Sequence, residues 1–234
     1  MPMNRMREAA ILAIGIIFLG ISIRGGINDF ANKDRRVTVK GLAEREVEAD
    51  KVTWPIQTKE LGDDLPQLYE SINATTAKVK DFLRRNGIDD SEISVNAPVV
   101  IDLNAEQYGS NNHRYRYNIT STVTVTSRKV KLVRSIIARQ GELLRQGVAV
   151  IGGGYDSRAE YEYVSFQAMK PKMMQEAIRN AEKTAQQFAE NSSSRLNKIM
   201  SADQGQFSIS DRDSNTPHIK KVRVVTTVTY SLKD

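Results

Sequence analysis

The feature that most constrains the fold of this chain is the alternation of apolar and polar residues in its longest segments. In residues 115–127, YRYNITSTVTVTS, tyrosine, isoleucine and valine recur at alternate positions. A period of two predicts a β-strand with one buried face. Further strands, some of them interrupted, are predicted at residues 35–49, 51–58, 91–103, 148–165, 199–207 and 219–232. Pro55 indicates an edge position or a bulge in the second of these.

Three segments between the strands show helical spacing instead. Asp63-Asp64-Leu65-Pro66 predicts a helix start, with an aspartate cap and a proline in the first turn. Apolar residues then recur every three or four positions as far as Leu83, and Gly87 predicts the end of this helix. Two further helices are predicted at residues 130–146 and 172–192, and alanines on the last one permit close approach to a sheet.

The predicted order of elements is β-β-α-β-β-α-β-α-β-β. Consecutive strands joined by short connections pair antiparallel, and helices can then cover one face of each sheet. We therefore expect an α+β fold with mainly antiparallel sheets and three helices, preceded by one N-terminal transmembrane helix.

The N-terminal segment carries the signal for that transmembrane helix. Residues 9–23 are fifteen residues without a charge, and Arg5 and Arg7 precede them. A basic stretch followed by an apolar one engages the secretion machinery, and the basic side stays in the cytoplasm. Fifteen helical residues cover about 22 Å, against a hydrocarbon core of roughly 30 Å. A span is feasible if the helix extends to Asn28 and Arg24 reaches back to the headgroups.

No clean pair of small residues marks a cleavage site after this segment, so we predict an uncleaved signal anchor. A cleaved signal that releases a soluble protein is the alternative. The predicted layout is a cytoplasmic N-terminus at residues 1–8, a signal anchor at 9–28, a linker at 29–35 and an exported domain at 36–233.

The charge distribution argues against nucleic acid as a partner. The 234 residues carry a net charge of +6, but residues 1–40 hold seven basic residues and three acidic ones, so most of the excess lies at the N-terminus. The rest of the chain is nearly neutral and lacks the basic footprint of a nucleic-acid binder. The chain has no cysteine, which excludes disulfides, iron–sulfur clusters and thiol catalysis.

Acidic side chains on the first strand offer one candidate for chemistry. Glu44, Glu46 and Glu48 alternate, with Asp50 following in the same register, so we predict that they line one face. Paired carboxylates can perform acid–base chemistry or bind hard cations. A solvent-facing strand surface whose negative charges block aggregation explains them equally well.

The other candidate residues give weaker indications of a reactive or binding site. His113 and His218 lie far apart in sequence, without convergent partners for a metal site or a catalytic triad. Gly152-Gly153-Gly154 precedes a strand-like run, which favours a bend over a phosphate-binding loop. The polar loop at residues 104–114 suits an interaction surface. We therefore predict no catalytic, cofactor-binding or metal-binding residues, and no cofactor.

Four segments, taken in order and spacing, resemble the SIMPL-domain family, the bacterial periplasmic and outer-membrane antigen group. They are the opening strand VTVKGLAEREVEADKV, the helix end FLRRNGIDDSEISVNAPVV, the alanine-repeated helix AIRNAEKTAQQFAENSSSRLNKI and the closing strand KVRVVTTVTYSL. The matching positions are Val37, Val39, Gly41, Asp50, Gly87, Ile88, Ile93, Ala177, Ala181, Ala185 and Ala189. The likeness covers residues 36–233, and Ser94–Asn96 and Asn191–Ser194 depart from the family pattern.

The resemblance implies an α+β domain, export, a tendency to form rings or larger homo-oligomers, and an association with envelope or oxidative-stress protection. It supplies no catalytic residues. We therefore expect a non-enzymatic, oligomeric scaffold or interaction protein with an unidentified protein partner. Its main domain would lie in the periplasm, anchored in the bacterial inner membrane by the single N-terminal helix. The alternative is an envelope enzyme or small-ligand binder that uses the Glu44, Glu46 and Glu48 face or the 104–114 loop.

Overall fold

A computed structural model describes residues 2–31, 35–105, 113–152, 154 and 157–233. The chain divides into two compact units, each made of separate sequence segments. The first unit contains residues 1–45, 169–208 and 222–234. The second unit contains residues 46–168 and 209–221.

The described residues form five α-helices and ten strands, in an α+β arrangement with antiparallel pairing, as predicted. The helices are α1 (Pro2–Ala31), α2 (Leu65–Arg85), α3 (Val130–Ala138), α4 (Gly141–Arg145) and α5 (Phe166–Asn191). The strands are β1 (Arg36–Glu48), β2 (Lys51–Gly62), β3 (Ile93–Val95), β4 (Val99–Asp102), β5 (Tyr117–Ser127), β6 (Val150–Ile151), β7 (Glu160–Glu162), β8 (Arg195–Asp203), β9 (Phe207–Asp211) and β10 (Ile219–Lys233).

In the first unit, helix α5 packs on the sheet mainly through small side chains. Its sheet has the order β1-β10-β8, and β9 also pairs with β10. Four alanines spaced four residues apart on α5 are fully buried, and two of them cluster with valines of the sheet and with Tyr230. Gly41 on β1 lies so close to α5 that an added Cβ would come within 1.9 Å of the carbonyl oxygen of Ala177. The helix and strand can approach this closely only because neither carries a large side chain here.

The core of the second unit is built from large side chains. In its sheet, β5 pairs with β3 and β4 on one side and with β2 on the other, and β2 also pairs with β6 and β7. The β2–β5 register places Trp54 opposite Val125 and Ile56 opposite Val123. Helix α2 covers this face with Phe82 and Leu83, both fully buried.

Helix α2 begins and ends where its sequence predicts. The Asp64 carboxylate caps it by accepting a hydrogen bond of 3.0 Å from the backbone N–H of Gln67, and Pro66 occupies the first turn. Gly87 follows the helix with a φ of +89°, a left-handed conformation that favours glycine.

Several predicted elements are divided in the structure. The helix predicted at 130–146 is two helices, because the chain turns at Arg139 and Gln140. The body beyond α1 therefore has four α-helices among its described residues, so the prediction of three was wrong. Pro98 separates β3 from β4, and the predicted strand at 148–165 is only β6 and β7 with a glycine-bearing connection between them. The strand predicted at 199–207 is likewise divided, with its residues falling in β8 and β9.

A helix also forms at the predicted N-terminal position. Helix α1 runs to Ala31, so it includes the first residues of the predicted linker at 29–35. Within the described residues, however, no helix is long and apolar enough to cross a membrane. The transmembrane helix predicted at 9–28 is therefore not confirmed. Its uncharged run of fifteen residues covers about 22 Å, which is shorter than a hydrocarbon core of roughly 30 Å.

Candidate functional site

The second unit contains a cleft of about 790 Å³ at a gap in its sheet. Strand β7 pairs with residues 51–53 of β2, and β6 pairs with residues 57 and 58. Among the described residues, no strand pairs with residues 54–56 of β2 on this side. Gly152, Ser157, Arg158 and Ala159, from the connection between β6 and β7, line the cleft.

Part of the wall of the cleft is apolar. Trp54 and Pro55 contribute from β2, Ile137 from α3, Val150 from β6, and Tyr161 from β7. Pro55 has no N–H to donate, so it fits a position where the strand pairing lapses. The prediction of an edge position for Pro55 is thus met locally, although β2 as a whole has neighbours on both sides.

Charged groups line the rim and floor of the same cleft. Lys220 is more than nine-tenths buried and forms an ion pair with Asp211. Glu162 accepts hydrogen bonds of 3.2 Å from the ammonium group of Lys51. Glu160 also lines the cleft, and its carboxylate has no hydrogen bond or ion pair with the described residues. The volume is within the range of small-molecule sites, although apolar and polar residues line the cleft in about equal number.

An aromatic pair lies beside the cleft. The rings of Tyr161 and His218 are 6.0 Å apart between centroids and inclined by 65°, an edge-to-face contact. Burial raises the pKa of the Tyr161 hydroxyl, and the positive charge of Arg134 offsets this only in part. Burial, followed by the charges of Arg134 and Arg212, lowers the pKa of His218. Both rings are therefore neutral at pH 7, which keeps this wall of the cleft uncharged.

The acidic face predicted on β1 is a solvent-exposed strand surface. Glu44, Glu46 and Glu48 are all exposed. Glu46 pairs with Arg212 at 3.4 Å, and Glu48 pairs with Lys131 at 3.1 Å. None of the three lines the cleft. Exposed ion pairs of this kind contribute little to stability. These glutamates therefore form an ordinary charged surface.

Asp50 follows the end of β1 and has a different role from the three glutamates. Its carboxylate accepts hydrogen bonds from the backbone N–H groups of Val164, at 2.6 Å, and Ser165, at 2.8 Å. Burial acts to raise the pKa of Asp50, but the hydrogen bonds from Ser165 and Val164 outweigh it, so the pKa lies below its ordinary value. Asp50 thus fixes the segment between β7 and α5.

The remaining sequence candidates do not form a reactive site in the described part of the chain. His113 is exposed, and most of the 104–114 loop, residues 106–112, lies outside the described residues. At the near end of that loop, Asp102 binds Arg116 at 3.0 Å. Among the described residues, no group of three or more histidine, aspartate or glutamate side chains could hold a metal ion.

No pattern in the sequence predicts the cleft. Its residues come from β2, α3, β6, β7, β9, β10 and the connections between them, which are far apart along the chain. One signal was present: Gly152-Gly153-Gly154 interrupts a strand pattern, and Gly152 lines the cleft. The preference for a bend over a phosphate-binding loop agrees with the position of Gly152 between two strands.

Comparison with known proteins identifies a family. The family model called SIMPL, described as a protein of unknown function (DUF541), matches residues 37–230. The match covers most of the chain, so the protein belongs to the SIMPL family. No curated protein matches the chain.

Proposed function

We propose that this SIMPL-family protein is a non-enzymatic interaction protein of the bacterial envelope that associates with copies of itself through open, apolar sheet edges. The observation that carries the proposal is the exposure of consecutive apolar residues on strand β4. The second unit places β4 at the edge of its sheet, paired with β5 alone among the described strands.

Strand β4 exposes apolar side chains that a partner strand could bury. Val99 is 60% exposed and Val100 is 47% exposed, and Ile101 beside them is also exposed. Because successive side chains of a strand point to opposite faces, apolar groups are exposed on both faces of β4. Natural edge strands are usually protected by charge, proline or a covering segment, so an unprotected apolar edge indicates an interface.

The first unit has an edge of similar character in β8. This strand pairs with β10 and is the end of the sheet order β1-β10-β8. Ile199 is 55% exposed, and Met200 beside it is exposed as well. Like β4, strand β8 can therefore accept a strand through its backbone while burying apolar groups on both faces.

A second copy of the chain is the partner that these edges favour. Among the described residues, β4 and β8 are two different apolar edges, so a contact between these unlike edges leaves one of them free on each partner and allows further copies to add. Such head-to-tail contacts produce closed rings or filaments. The ring-forming tendency implied by the family resemblance supports the same proposal.

The test is the molar mass of the full chain by light scattering over a range of concentrations. We expect a mass several times that of the monomer for the unmodified chain. Val100→Lys and Ile199→Lys should each weaken association by at least about tenfold, because a buried strand edge would then contain an unpaired ammonium group.

Leu144→Lys is the matched control for these variants. Leu144 is exposed on helix α4, so the same change in charge and size occurs away from a sheet edge, and the mass should stay unchanged. A monomer at all concentrations would contradict the proposal. Equal dissociation by all three lysine variants would contradict it as well.

We also propose that the chain is exported to the periplasm. Arg5 and Arg7 before the uncharged residues 9–23 support this, because they match the basic and apolar parts of a secretion signal. A reporter enzyme that is active only outside the cytoplasm, fused after Lys233, should be active. Fractionation of the same cells separates an anchored protein from a cleaved, soluble one, and an inactive reporter would contradict export.

The protection of the envelope against oxidative stress is proposed on the family resemblance alone. Cells that lack the protein should survive peroxide less well, and the unmodified gene should restore survival. If Val100→Lys fails to restore survival while Leu144→Lys succeeds, then protection depends on association. Equal survival with and without the protein would contradict the stress role without affecting the proposal of self-association.

A further inference from the structure

We propose that a basic patch at the ends of helices α2 and α3 and on helix α4, all in the second unit, binds the surface of an anionic lipid membrane. The patch consists of four cations and one apolar residue, which are Lys78, Arg85, Arg139, Leu144 and Arg145. All five residues are exposed. This inference is independent of self-association, because the patch contains no residue of β4 or β8.

Three of the cations come together around Gln146, which follows the end of α4. The ammonium group of Lys78 donates a hydrogen bond of 3.3 Å to the backbone oxygen of Gln146. The guanidinium group of Arg85 lies 3.5 Å from the side-chain oxygen of the same residue. Arg145 directly precedes Gln146 in the chain. Three positive charges from two helices therefore surround one residue.

The fourth cation, Arg139, joins the patch at the same end of α2. Its guanidinium group donates a hydrogen bond of 2.6 Å to the side-chain oxygen of Asn86. Asn86 is the residue that ends α2, and it directly follows Arg85. The turn between α3 and α4 thus contributes a further positive charge next to the other three.

The positive charge of the patch is not neutralised within the fold. The hydrogen bonds of Lys78, Arg85 and Arg139 go to backbone and amide oxygens, which carry no full charge. None of the four cations forms an ion pair with the described residues. The neighbouring charged groups are Lys80, Arg84, Asp81, Asp90 and Glu142, and both aspartates bind Arg84. With these counted, six cations stand against three carboxylates, so the region stays positive.

Leu144 favours a lipid surface among anionic partners. Its side chain is 62% exposed, and it borders an apolar depression of about 440 Å³ to which Ile137, Ala138 and Val150 contribute. An exposed leucine beside cations can enter the apolar boundary of a membrane while the cations contact its phosphate groups. None of the patch residues is aromatic, so the patch offers no surface on which nucleic-acid bases could stack.

The absence of cysteine from the chain allows a reporter to be placed within the patch. In Leu144→Cys, the single thiol is labelled with a nitrobenzoxadiazole dye, whose emission brightens and shifts to shorter wavelength in an apolar environment. The labelled full chain is titrated with phosphatidylcholine vesicles that contain phosphatidylglycerol. We expect a saturable shift that is absent with pure phosphatidylcholine and is reversed by high salt, because salt screens the attraction.

A second labelling site shows whether the contact is local. Thr126 is exposed on β5, and it follows Val125, whose side chain is buried in the core beneath α2. Successive side chains of a strand point to opposite faces, so Thr126 lies on the face of the sheet away from α2. The dye on Thr126→Cys should not shift. Because each dye reports its own surroundings, contact of helix α1 with the vesicles would not by itself produce the signal from α4.

The decisive variant removes two charges from the patch in the Leu144→Cys background, through Lys78→Gln and Arg85→Gln. Each cation near an anionic membrane strengthens binding by about fivefold, so the vesicle concentration at half of the signal should rise by about tenfold or more. The matched control is Arg179→Gln with Lys183→Gln. It removes one arginine and one lysine from the exposed surface of α5 and should change that concentration by less than about twofold.

Three outcomes would overturn the proposal. They are an equal signal with neutral and anionic vesicles, an equal response of the two double variants, and an equal shift of the dyes at positions 144 and 126. Loss of the signal after addition of duplex DNA at the same phosphate concentration would show that any polyanion occupies the patch, and would overturn the assignment to a lipid surface. Circular dichroism shows that each variant is folded. Light scattering is measured without lipid, so failure of this proposal is distinguishable from failure of self-association.

Discussion

The two compact units bury a helix against a sheet in opposite ways. In the first unit, α5 presents alanines, and Gly41 of β1 lies against its backbone. In the second unit, α2 presents Phe82, Leu83 and other large side chains to Trp54 and Ile56 of β2. Both helices carry a buried stripe, but one stripe permits close approach and the other fills a wide space.

This difference predicts opposite sensitivities to substitution. A core of large side chains loses stability when atoms are removed, because a cavity remains. A core of alanine and glycine loses stability when atoms are added, because the backbone atoms beside them cannot move away easily. Removal of atoms from the second unit and addition of atoms to the first therefore test the comparison directly.

The largest effect is expected for Phe82→Ala. Phe82 is 1% exposed in the core of the second unit, so its removal should lower the free energy of unfolding by about 3–5 kcal/mol. Urea unfolding followed by the fluorescence of Trp54, which lies in the same core, measures the change. Phe188→Ala is the control, because Phe188 is 58% exposed on α5. An equal loss for the two variants would contradict the assignment of the core.

The next effect is expected for Gly41→Ala. The added Cβ would lie 1.9 Å from the carbonyl oxygen of Ala177, so the strand and helix must separate. We expect a loss of about 2–3 kcal/mol in urea unfolding followed by circular dichroism. At Gly62 in the second unit, the atoms nearest to the same methyl group would be those of the Leu68 side chain, at 3.1 Å. Gly62→Ala should cost less than about 1 kcal/mol, and equal losses would break the comparison.

The smallest effect is expected for Asp50→Asn, and it should depend on pH. The pKa of Asp50 lies below its value of 3.8 in the unfolded chain, so its contribution is present above pH 4 and is lost as the pH falls through the folded pKa. At pH 7 the variant should be less stable by about 1–2 kcal/mol, the usual value of hydrogen bonds to a charged group.

The same comparison in acid provides the control for Asp50. As the pH falls below 3.8 and through the lower folded pKa of Asp50, the carboxyl becomes protonated and the difference between the two proteins should shrink. A difference that stays constant from pH 7 down to full protonation of Asp50 would show that the carboxylate charge is not what fixes the Val164 and Ser165 backbone.

The elements that the sequence predicted well are those with a local cause. Asp64 caps the start of α2, and Gly87 follows its end in a left-handed conformation. Both signals lie next to the helix that they delimit. The alternation in residues 115–127 likewise depends only on one strand having one buried face. Of the two interpretations of the acidic residues on β1, the one that placed them on a solvent-facing strand surface agrees with their exposure.

The elements that the sequence predicted poorly depend on distant partners. The break between α3 and α4 has only a weak local signal, Gly141, which directly follows the turn at Arg139 and Gln140. The cleft arises where two short strands leave residues 54–56 of β2 without a neighbour.

Hydrogen exchange of the full chain at low and high protein concentration tests most directly whether copies associate through sheet edges. The backbone N–H groups on the outer side of an edge strand exchange quickly unless another strand pairs with them. We predict that the amides of Val99–Asp102 in β4 and Arg195–Asp203 in β8 become protected as concentration rises, while helix α4 does not change. Unchanged exchange in both strands, with the mass still rising, would contradict association through these edges.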